Sequence, residues 1–173
     1  MSDPLRPLRV NAVELLRQPG ATQRIDAHIA ADALGVEHAA LAGDDVEVAI
    51  EVESYDDRIM VGGTVSVAWT SGCRRCLREL ADVAAVAVDE LHQIELTDPN
   101  AFAIDNGQLD LAPLVREAVL LELDDERICR AECAGLCPVC GVDRNNDACE
   151  CTTDVRDERW AALDQLVVDD DAQ

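Results

Sequence analysis

The sequence contains no lysine, so all fourteen of its basic residues are arginine. Against these stand 36 Asp and Glu residues, and the formal net charge of the 173-residue chain is −22 at pH 7. So acidic a surface repels the phosphate backbone of nucleic acids at long range and favours basic proteins as partners. A contact with nucleic acid would therefore need a local patch of arginine. A general acidic bias of the source proteome would explain the same charge without any partner.

Aromatic residues are scarce, with Tyr55, Trp69, Phe102 and Trp160 as the complete set. Apolar residues still make up 49% of the chain, which is enough for an aliphatic core. No apolar run is long enough to span a bilayer, and the N-terminus lacks the apolar segment of a secretory signal. We therefore expect a cytoplasmic protein that does not enter membranes and whose cysteines stay reduced.

Motifs of catalysis are also missing from the sequence. It has no nucleophile motif, no glycine-rich phosphate loop and no pair of carboxylates at a catalytic spacing. The three histidines, His28, His38 and His92, lie outside the cysteine motifs, and only His92 is a candidate substitute metal ligand. We therefore expect no catalytic residues, no enzymatic activity and no small-molecule substrate.

Alternation of apolar and polar residues predicts antiparallel strands. In residues 45–54 every second side chain is apolar and the side chains between them are mostly glutamate, as in a half-buried strand. Residues 63–72 repeat the pattern, and residues 79–91 do so with alanines that would also suit a helix. The motif CRRC at 73–76 lies between these two runs. The sequence therefore predicts a long hairpin with a cysteine pair at its tip.

Four further segments complete the predicted elements. Residues 11–20 predict a short helix capped by Asn11, and 101–111 predict a short hairpin that turns at Asn106. Asp110 is a candidate cap for a mostly apolar helix that ends near residue 126 and packs across the sheet. Residues 152–168 again have helical spacing, and the last residues form an acidic tail.

Eight cysteines occur in four short motifs. These motifs are Cys73-x2-Cys76, Cys129-x3-Cys133, Cys137-x2-Cys140 and Cys149-x-Cys151. Two cysteines two residues apart can hold zinc from one tight turn, and two such turns in one chain are a strong signal. A catalytic zinc needs an open coordination position, usually with a histidine or carboxylate near it, and the histidines belong to none of these motifs, so we predict about two structural zinc ions with no catalytic role.

The eight thiols can be divided between two metals in more than one way. The preferred division places Cys137, Cys140, Cys149 and Cys151 in a local site, closed by the loop 141–148. Cys73, Cys76, Cys129 and Cys133 then form a second site that ties the hairpin tip to the segment leaving the long helix. A rival pairing joins the two CxxC motifs in one site. Iron–sulfur clusters fit the spacing poorly, and disulfides remain open if the protein meets oxidant.

Six of the fourteen arginines lie within or beside the cysteine motifs. They are Arg74, Arg75, Arg78, Arg127, Arg130 and Arg144. One interpretation is compensation of charge, since two four-thiolate zinc sites would lower the formal charge from −22 to about −26. The other is a positive tip that contacts RNA or another partner. We favour charge compensation.

Several motifs in order resemble the YceD family, the large ribosomal RNA subunit accumulation proteins, in their actinobacterial form. They are "SGCRRCL", "LDLAPLVREAVLLELDDERIC", "CAGLCPVCGVDRNNDACEC" and "DVRDERWAALDQL", and the resemblance runs from about residue 45 to residue 167. Relatives that lack the distal cysteines tend to keep the first CxxC, which supports a separate site for Cys73 and Cys76. The resemblance implies a cytoplasmic bacterial factor for accumulation of large-subunit ribosomal RNA, and it implies no enzymatic mechanism.

Together these observations predict an α+β fold: a curved antiparallel sheet with a packed helix and a zinc-stapled, cysteine-rich C-terminal segment. The predicted division is an α+β core with the CxxC hairpin at 1–125, a zinc-binding segment at 126–153, a helix at 154–168 and an acidic tail at 169–173. The expected partner is large-subunit ribosomal RNA, its precursor or a basic large-subunit ribosomal protein. The alternative is a thiol-based redox or zinc sensor.

Overall fold

The computed structural model describes residues 3–123, residues 126–152 and Arg159. In this part of the chain a five-stranded sheet packs against one long helix, and the cysteine-rich segment follows that helix. After a 3-10 turn at Arg6–Leu8, the elements are β1 (Arg9–Asn11), α1 (Ala12–Leu16), β2 (Thr22–Ala30), β3 (Leu41–Tyr55), β4 (Arg58–Gly72), β5 (Glu79–Gln93), β6 (Phe102–Ala103), β7 (Gln108–Asp110) and α2 (Ala112–Leu123).

The large open sheet has the strand order β2-β3-β4-β5-β6. Its first four strands are antiparallel, as predicted, and the β4–β5 hairpin closes with Gly72 opposite Glu79. The predicted all-antiparallel order is wrong at one edge, because β6 runs parallel to β5. There the fully buried side chain of Gln93 accepts hydrogen bonds from the N–H groups of Thr97 and Asp98, at 3.1 Å each. The chain is thus turned back beside the end of β5.

Alternation along the long strands places their apolar side chains on one face. Val46, Val48, Ile50 and Val52 of β3 are all at most 1% exposed, whereas the glutamates between them are exposed. Strand β2 was not predicted from the sequence. It is an edge strand whose only two buried side chains are Ile25 and Ile29, so it has too few apolar positions to show a clear period of two.

The turn at Asn106 and Gly107 is confirmed, since both residues have positive φ, 51° and 70°. The strands on its two sides do not form the predicted hairpin, however. Their pairing is limited to one bridge between Asp105 and Gln108, after which β7 pairs with β1 in a separate two-stranded sheet. A two-residue β6 is too short to hold both β5 and β7.

Both predicted helices in the described part are confirmed. The side chain of Asn11 accepts a hydrogen bond from the N–H of Glu14 and caps α1. The carboxylate of Asp110 accepts one from the N–H of Ala112 at the start of α2, at 3.0 Å. The buried face of α2 lies on β3, β4 and β5 and closes the aliphatic core.

The helix predicted at 154–168 and the tail at 169–173 lie outside the described residues, apart from Arg159. Within the described residues, no helix is both long and apolar enough to cross a membrane.

Candidate metal centres

The tip of the β4–β5 hairpin is a tight turn formed by CRRCL, residues 73–77. The N–H of Cys73 donates to the carbonyl of Arg78, and the N–H of Leu77 donates to the carbonyl of Cys73, both at 2.8 Å. The side chains of Cys73 and Cys76 are 0% and 7% exposed. The register of the two strands therefore brings two buried thiols to one end of the sheet.

CPVCG, residues 137–141, forms a second turn with the same backbone pattern. The N–H of Cys137 donates to the carbonyl of Val142, and the N–H of Gly141 donates to the carbonyl of Cys137, both at 2.8 Å. The residue after the second cysteine is left-handed in both turns, with φ of 75° at Gly141 and 58° at Leu77. Glycine takes this conformation without strain and leucine does not.

Leu77→Gly should raise the free energy of unfolding by up to about 1 kcal/mol. A left-handed residue with a Cβ is strained by about 1–2 kcal/mol, and the larger conformational entropy that glycine loses on folding offsets part of the relief of that strain. Little packing is lost, since Leu77 is 70% exposed. The matched variant Gly141→Ala should lower the free energy by about 1 kcal/mol through the backbone alone, because a Cβ there meets nothing within 4 Å. Denaturant unfolding of metal-loaded protein measures both, and changes of equal sign would contradict this interpretation.

The first group of thiols consists of Cys73, Cys76, Cys129 and Cys133, whose Sγ atoms all lie within 4.8 Å of one another. The Sγ atoms of Cys73 and Cys133 are 3.9 Å apart, and those of Cys76 and Cys129 are 3.8 Å apart. Metal–sulfur bonds of about 2.3 Å in a tetrahedron place thiolates about 3.8 Å apart. A disulfide needs a bond of about 2.05 Å. The donor set and its spacing therefore fit one tetrahedral metal ion.

The second group consists of Cys137, Cys140, Cys149 and Cys151, with their Sγ atoms again within 4.8 Å. Its exposure differs from that of the first group, since Cys140 is exposed and Cys149 and Cys151 are half-buried. The eight thiols are thus gathered in the two sets that the preferred division proposes. The rival pairing of the two CxxC motifs does not match this geometry.

Backbone N–H groups favour thiolate at the first cysteine of each turn. The pKa of Cys73 is lowered to about 6, chiefly by the N–H of Cys76, and the pKa of Cys137 is lowered to about 6 by the N–H groups of Cys140 and Val139. Thiolate is the form that binds a metal. Each turn therefore presents one ionised ligand at neutral pH before any metal binds.

Main-chain contacts join the hairpin tip to the segment that follows α2. The N–H of Arg74 donates to the carbonyl of Arg127 at 3.0 Å, and the N–H of Leu136 donates to the carbonyl of Arg75 at 2.9 Å. Gly135, with φ of 70°, lies where a Cβ would come within 3.0 Å of the Arg75 carbonyl oxygen. The segment therefore lies directly on the tip that carries Cys73 and Cys76.

The loop between Cys140 and Cys149 reaches across to the first group. The Asn145 side chain donates to the sulfur of Cys133 at 3.5 Å and to the carboxylate of Asp143 at 2.6 Å. Its carbonyl oxygen accepts hydrogen bonds from Arg130 and from the N–H of Ala134, at 2.8 and 2.9 Å. The sequence predicts this loop only as the connection that closes the second site, because a contact between the two metal groups has no signature in local spacing. The loop of the second site thus supports the ligands of the first.

Asn145→Ala should weaken metal binding at the first group by about 10–100-fold, although residue 145 lies in the loop of the second, because hydrogen bonds to metal ligands have effects of that size. The matched control is Asn146→Ala, whose side chain donates a hydrogen bond to Asp143 and makes no other among the described residues. Competition with a chelator of known affinity measures each site. Equal effects of the two variants on metal affinity would show that the contact with Cys133 does not contribute to metal binding.

The six arginines near the cysteines do gather at the metal end, where ion pairs with this chain's own carboxylates engage several of them. Arg74 forms an ion pair with Glu126. Arg127 donates to the carboxylate of Glu122 at 2.6 Å, and its guanidinium lies 3.7 Å from the centroid of the Trp69 ring. Both guanidinium groups therefore hold the segment that follows α2 against the sheet.

Two more of these arginines bind polar groups of the cysteine-rich segment. Arg75 donates to the carbonyls of Ala131 and Cys133, at 2.9 and 3.2 Å. Arg130 donates to the side chain of Asn145. Arg75 thus holds the backbone at Ala131 and Cys133, and Arg130 holds the side chain that donates to the sulfur of Cys133.

The last two arginines are less engaged. Arg78 lies 4.0 Å from the carboxylate of Asp143, whose pKa is lowered first by the backbone N–H of Asn145. The exposed Arg144 makes no side-chain hydrogen bond or ion pair within the described part of the chain. Most of the predicted positive patch is thus occupied by internal contacts.

His92, the candidate substitute ligand, lies near the end of β5 that is remote from the hairpin tip. Its Nε2 atom is 3.0 Å from the carboxylate of Glu90, and both metal groups have four thiols without it. His92 is therefore not part of either site.

Comparison with known sequences gives a consistent set of relatives. The profile of the family described as "Large ribosomal RNA subunit accumulation protein YceD" matches residues 61–167. The chain is 30% identical over 174 residues to an uncharacterized protein of Mycobacterium tuberculosis, covering 93% of this chain and 82% of that one. It is 28% identical over 147 residues to an uncharacterized protein of Mycobacterium leprae, covering 80% and 68% of the two chains.

A more distant relative carries the family's name. The chain is 22% identical over 157 residues to "Large ribosomal RNA subunit accumulation protein YCED homolog 1, chloroplastic" of Arabidopsis thaliana, covering 72% of this chain and 49% of that one. No solved structure gives a significant match.

Proposed function

The chain belongs to the YceD family of large ribosomal RNA subunit accumulation proteins, and from that premise we propose that it is a non-enzymatic factor in large-subunit assembly that binds a basic large-subunit ribosomal protein. The family supports a role in accumulation of large-subunit ribosomal RNA. The proposed route is indirect: the chain protects a basic protein until that protein joins the RNA.

The contacts that the arginine side chains already make favour a protein partner over an RNA partner. Direct binding of RNA needs cationic groups that can pair with phosphates. At the metal end the guanidinium groups of Arg74, Arg75, Arg127 and Arg130 are instead paired with this chain's own groups. Arg144 and the weakly paired Arg78 would leave too little positive charge against a net charge of −22. A basic protein is the partner that this charge distribution favours.

The outward face of the large sheet adds to this argument. Glu47, Glu51 and Glu53 of β3 are exposed along it, with Asp26 on β2 and Asp89 on β5. Strands that extend over fifteen residues form a long acidic surface, which would speed the approach of a basic partner through electrostatic steering.

Zinc is the metal that we propose for both four-thiolate groups. Four soft thiolates in a closed tetrahedron are typical of structural zinc, and a complete set of protein ligands leaves no coordination position for a substrate. Zinc would supply fixed geometry for the segment after α2. At the first group, Cys73 and Cys76 would bind the zinc ion from the hairpin tip, and Cys129 and Cys133 would bind it from the segment that follows α2.

Binding of purified, metal-loaded protein to large-subunit ribosomal RNA and to a mixture of large-subunit ribosomal proteins tests the choice of partner. We expect saturable binding of one basic protein and no binding of RNA at physiological salt. Arg144→Gln is the informative variant for RNA. If RNA binds, and Arg144→Gln weakens that binding while protein binding is unaffected, the direct-RNA alternative is correct.

The exposed second metal group favours one other candidate function, that of a thiol-based sensor. Hydrogen peroxide takes two electrons from a pair of thiolates, joins them as a disulfide and is itself reduced to water. At Cys149 and Cys151 this reaction would eject the metal and loosen the loop that contacts Cys133. A sensor must lose its partner on mild oxidation and regain it with reductant and zinc, whereas a purely structural site need not.

A further inference from the structure

The core-facing side of β5 changes from apolar to ionisable side chains at its last residues. Val88 is buried in the aliphatic core, but the next two residues on the same face are Glu90 and His92. Their side chains are only 17% and 7% exposed. A buried carboxylate and imidazole at positions that should be apolar weaken the core, so they call for a reason other than folding.

These two residues line a cavity of about 400 Å³ between β5, the β6–β7 loop and the first half of α2. Three more carboxylates line it from the other elements, with Asp105 and Asp110 on one wall and Glu117 on α2. None of these five side chains pairs with an arginine within the described residues, and the sequence has no lysine. The cavity is therefore an acidic concave site with no cation of its own.

His92 does not neutralise the negative charge of the carboxylates that line the cavity. Burial lowers the pKa of its ring, so the ring is neutral at pH 7. With Nε2 bound to Glu90, the Nδ1 atom is a buried acceptor with no partner among the described residues. His92 thus lines an acidic cavity with a side chain that is nine-tenths buried and not fully satisfied by the described residues, which points to a ligand at this place.

Phe102 completes the site from the β6 side. Its ring is 51% exposed and lies 5.5 Å from the His92 ring, between centroids. An exposed aromatic ring beside carboxylates suits a guanidinium or an ammonium group, which is attracted to the face of the ring and donates to the oxygens. These carboxylates would repel an anion, and a neutral donor would gain less because it lacks the charge that attracts the carboxylates and the ring.

We propose that this cavity, with Glu90, His92, Phe102 and Glu117 as its binding groups, takes an arginine or lysine side chain of a basic polypeptide. The inference deepens the proposed function, on which it rests for the source of the side chain. It places the specific contact at the end of the sheet remote from the metal centres. The acidic outer face then serves only to attract the partner.

The ligand-free protein offers an electrostatic check on this cavity. The pKa of Glu90 is raised above its ordinary value of 4.5, by burial and then by Glu117. The folded chain therefore binds this proton more tightly than the unfolded chain, so its stability falls as the pH rises from about 4.5 through the raised pKa. Asp105, Asp110 and His92 face the same group. Glu90→Gln should raise the melting temperature at pH 7 and flatten this fall, which thermal unfolding across the pH range measures.

A pair of short peptides tests the proposal on the full, metal-loaded chain. One peptide is acetyl-Gly-Arg-Gly-amide, and the other has the neutral isostere citrulline in place of arginine. His92 is one of only three histidines, so its ring resonances can be followed by NMR. We expect saturable shifts of these resonances with the arginine peptide and at least tenfold weaker binding of the citrulline peptide. Equal binding of the two, or no response at His92, would overturn the proposal.

Variants and a second cation complete the test. The double variant Glu90→Gln, Glu117→Gln should weaken the arginine peptide at least tenfold, whereas Glu47→Gln, Glu51→Gln on the outer face should not. Melting curves check that each variant is folded.

Spermidine distinguishes a side chain from a free cation. If spermidine binds as tightly as the arginine peptide, and if changing the residues beside the arginine does not alter the affinity of the peptide, the cavity is a site for a free polyamine instead. If the cavity variants keep full affinity for a basic ribosomal protein, this inference fails and the proposed function stands. If the peptide binds but no ribosomal protein does, the proposed function fails and the cavity remains a cation site.

Discussion

Cys73→Ser should remove one of two bound metal ions and release the segment after α2 from the hairpin tip. Cys73 is 0% exposed, and its sulfur also accepts a hydrogen bond from the N–H of Cys129 at 3.3 Å. Binding of structural zinc supplies about 10–16 kcal/mol in small zinc folds, so a site that loses one thiolate should lose its metal at ordinary concentrations. Native mass spectrometry counts the ions, and hydrogen exchange of residues 126–137 should rise.

The matched variant is Cys137→Ser, which should remove the other ion. The first group should keep its metal, with the weaker affinity expected when the loop of Asn145 is loosened. In the rival pairing of the CxxC motifs both substitutions affect the same ion, so a double variant that keeps one metal ion instead of none would favour that pairing. Fewer than two ions on the unaltered chain, purified under reducing conditions, would contradict the two-site arrangement.

Hydrogen peroxide should release the metal of the second group at least ten times faster than that of the first. Three of the four thiols of the first group, Cys73, Cys76 and Cys133, are at most 7% exposed, whereas Cys140 of the second is exposed. Oxidation of cysteine follows thiolate character and access, and the geometry differs chiefly in access. A coloured zinc indicator follows the release over time.

The single-site variants assign the two kinetic phases. Cys73→Ser, which keeps only the second group, should show the fast phase, and Cys137→Ser should show the slow one. Equal rates for the two would remove the structural basis for a sensor at the second group. Recovery of both phases after reductant and zinc separates reversible oxidation from irreversible damage.

Local pattern predicted the elements that position the metal centres. Alternation in residues 45–54 and 63–72 predicted two of the long strands, and CRRC between two alternating runs predicted the tip of the hairpin. Such elements and motifs depend on neighbours in sequence, which is why one sequence is enough for them. The preferred division of the cysteines matches the structure, but the rival pairing uses the same short motifs, and only the fold distinguishes the two.

Contacts between distant segments could not be predicted in the same way. Strand β2 is held by its pairing with β3 more than by its own apolar residues, and β6 runs parallel because Gln93 holds the preceding loop. The arginines were identified from sequence, but only the structure shows that Arg127 lies over Trp69 and that Arg130 binds Asn145. Spacing along the chain carries no information on such partners.

Crosslinking in living cells, followed by identification of both protein and RNA, tests the proposed function most directly. We predict crosslinks to one basic large-subunit ribosomal protein, lost in the Glu90→Gln, Glu117→Gln variant, and no enrichment of large-subunit ribosomal RNA. Crosslinks that reach ribosomal RNA through the arginine-rich metal end, with no basic protein recovered, would contradict it.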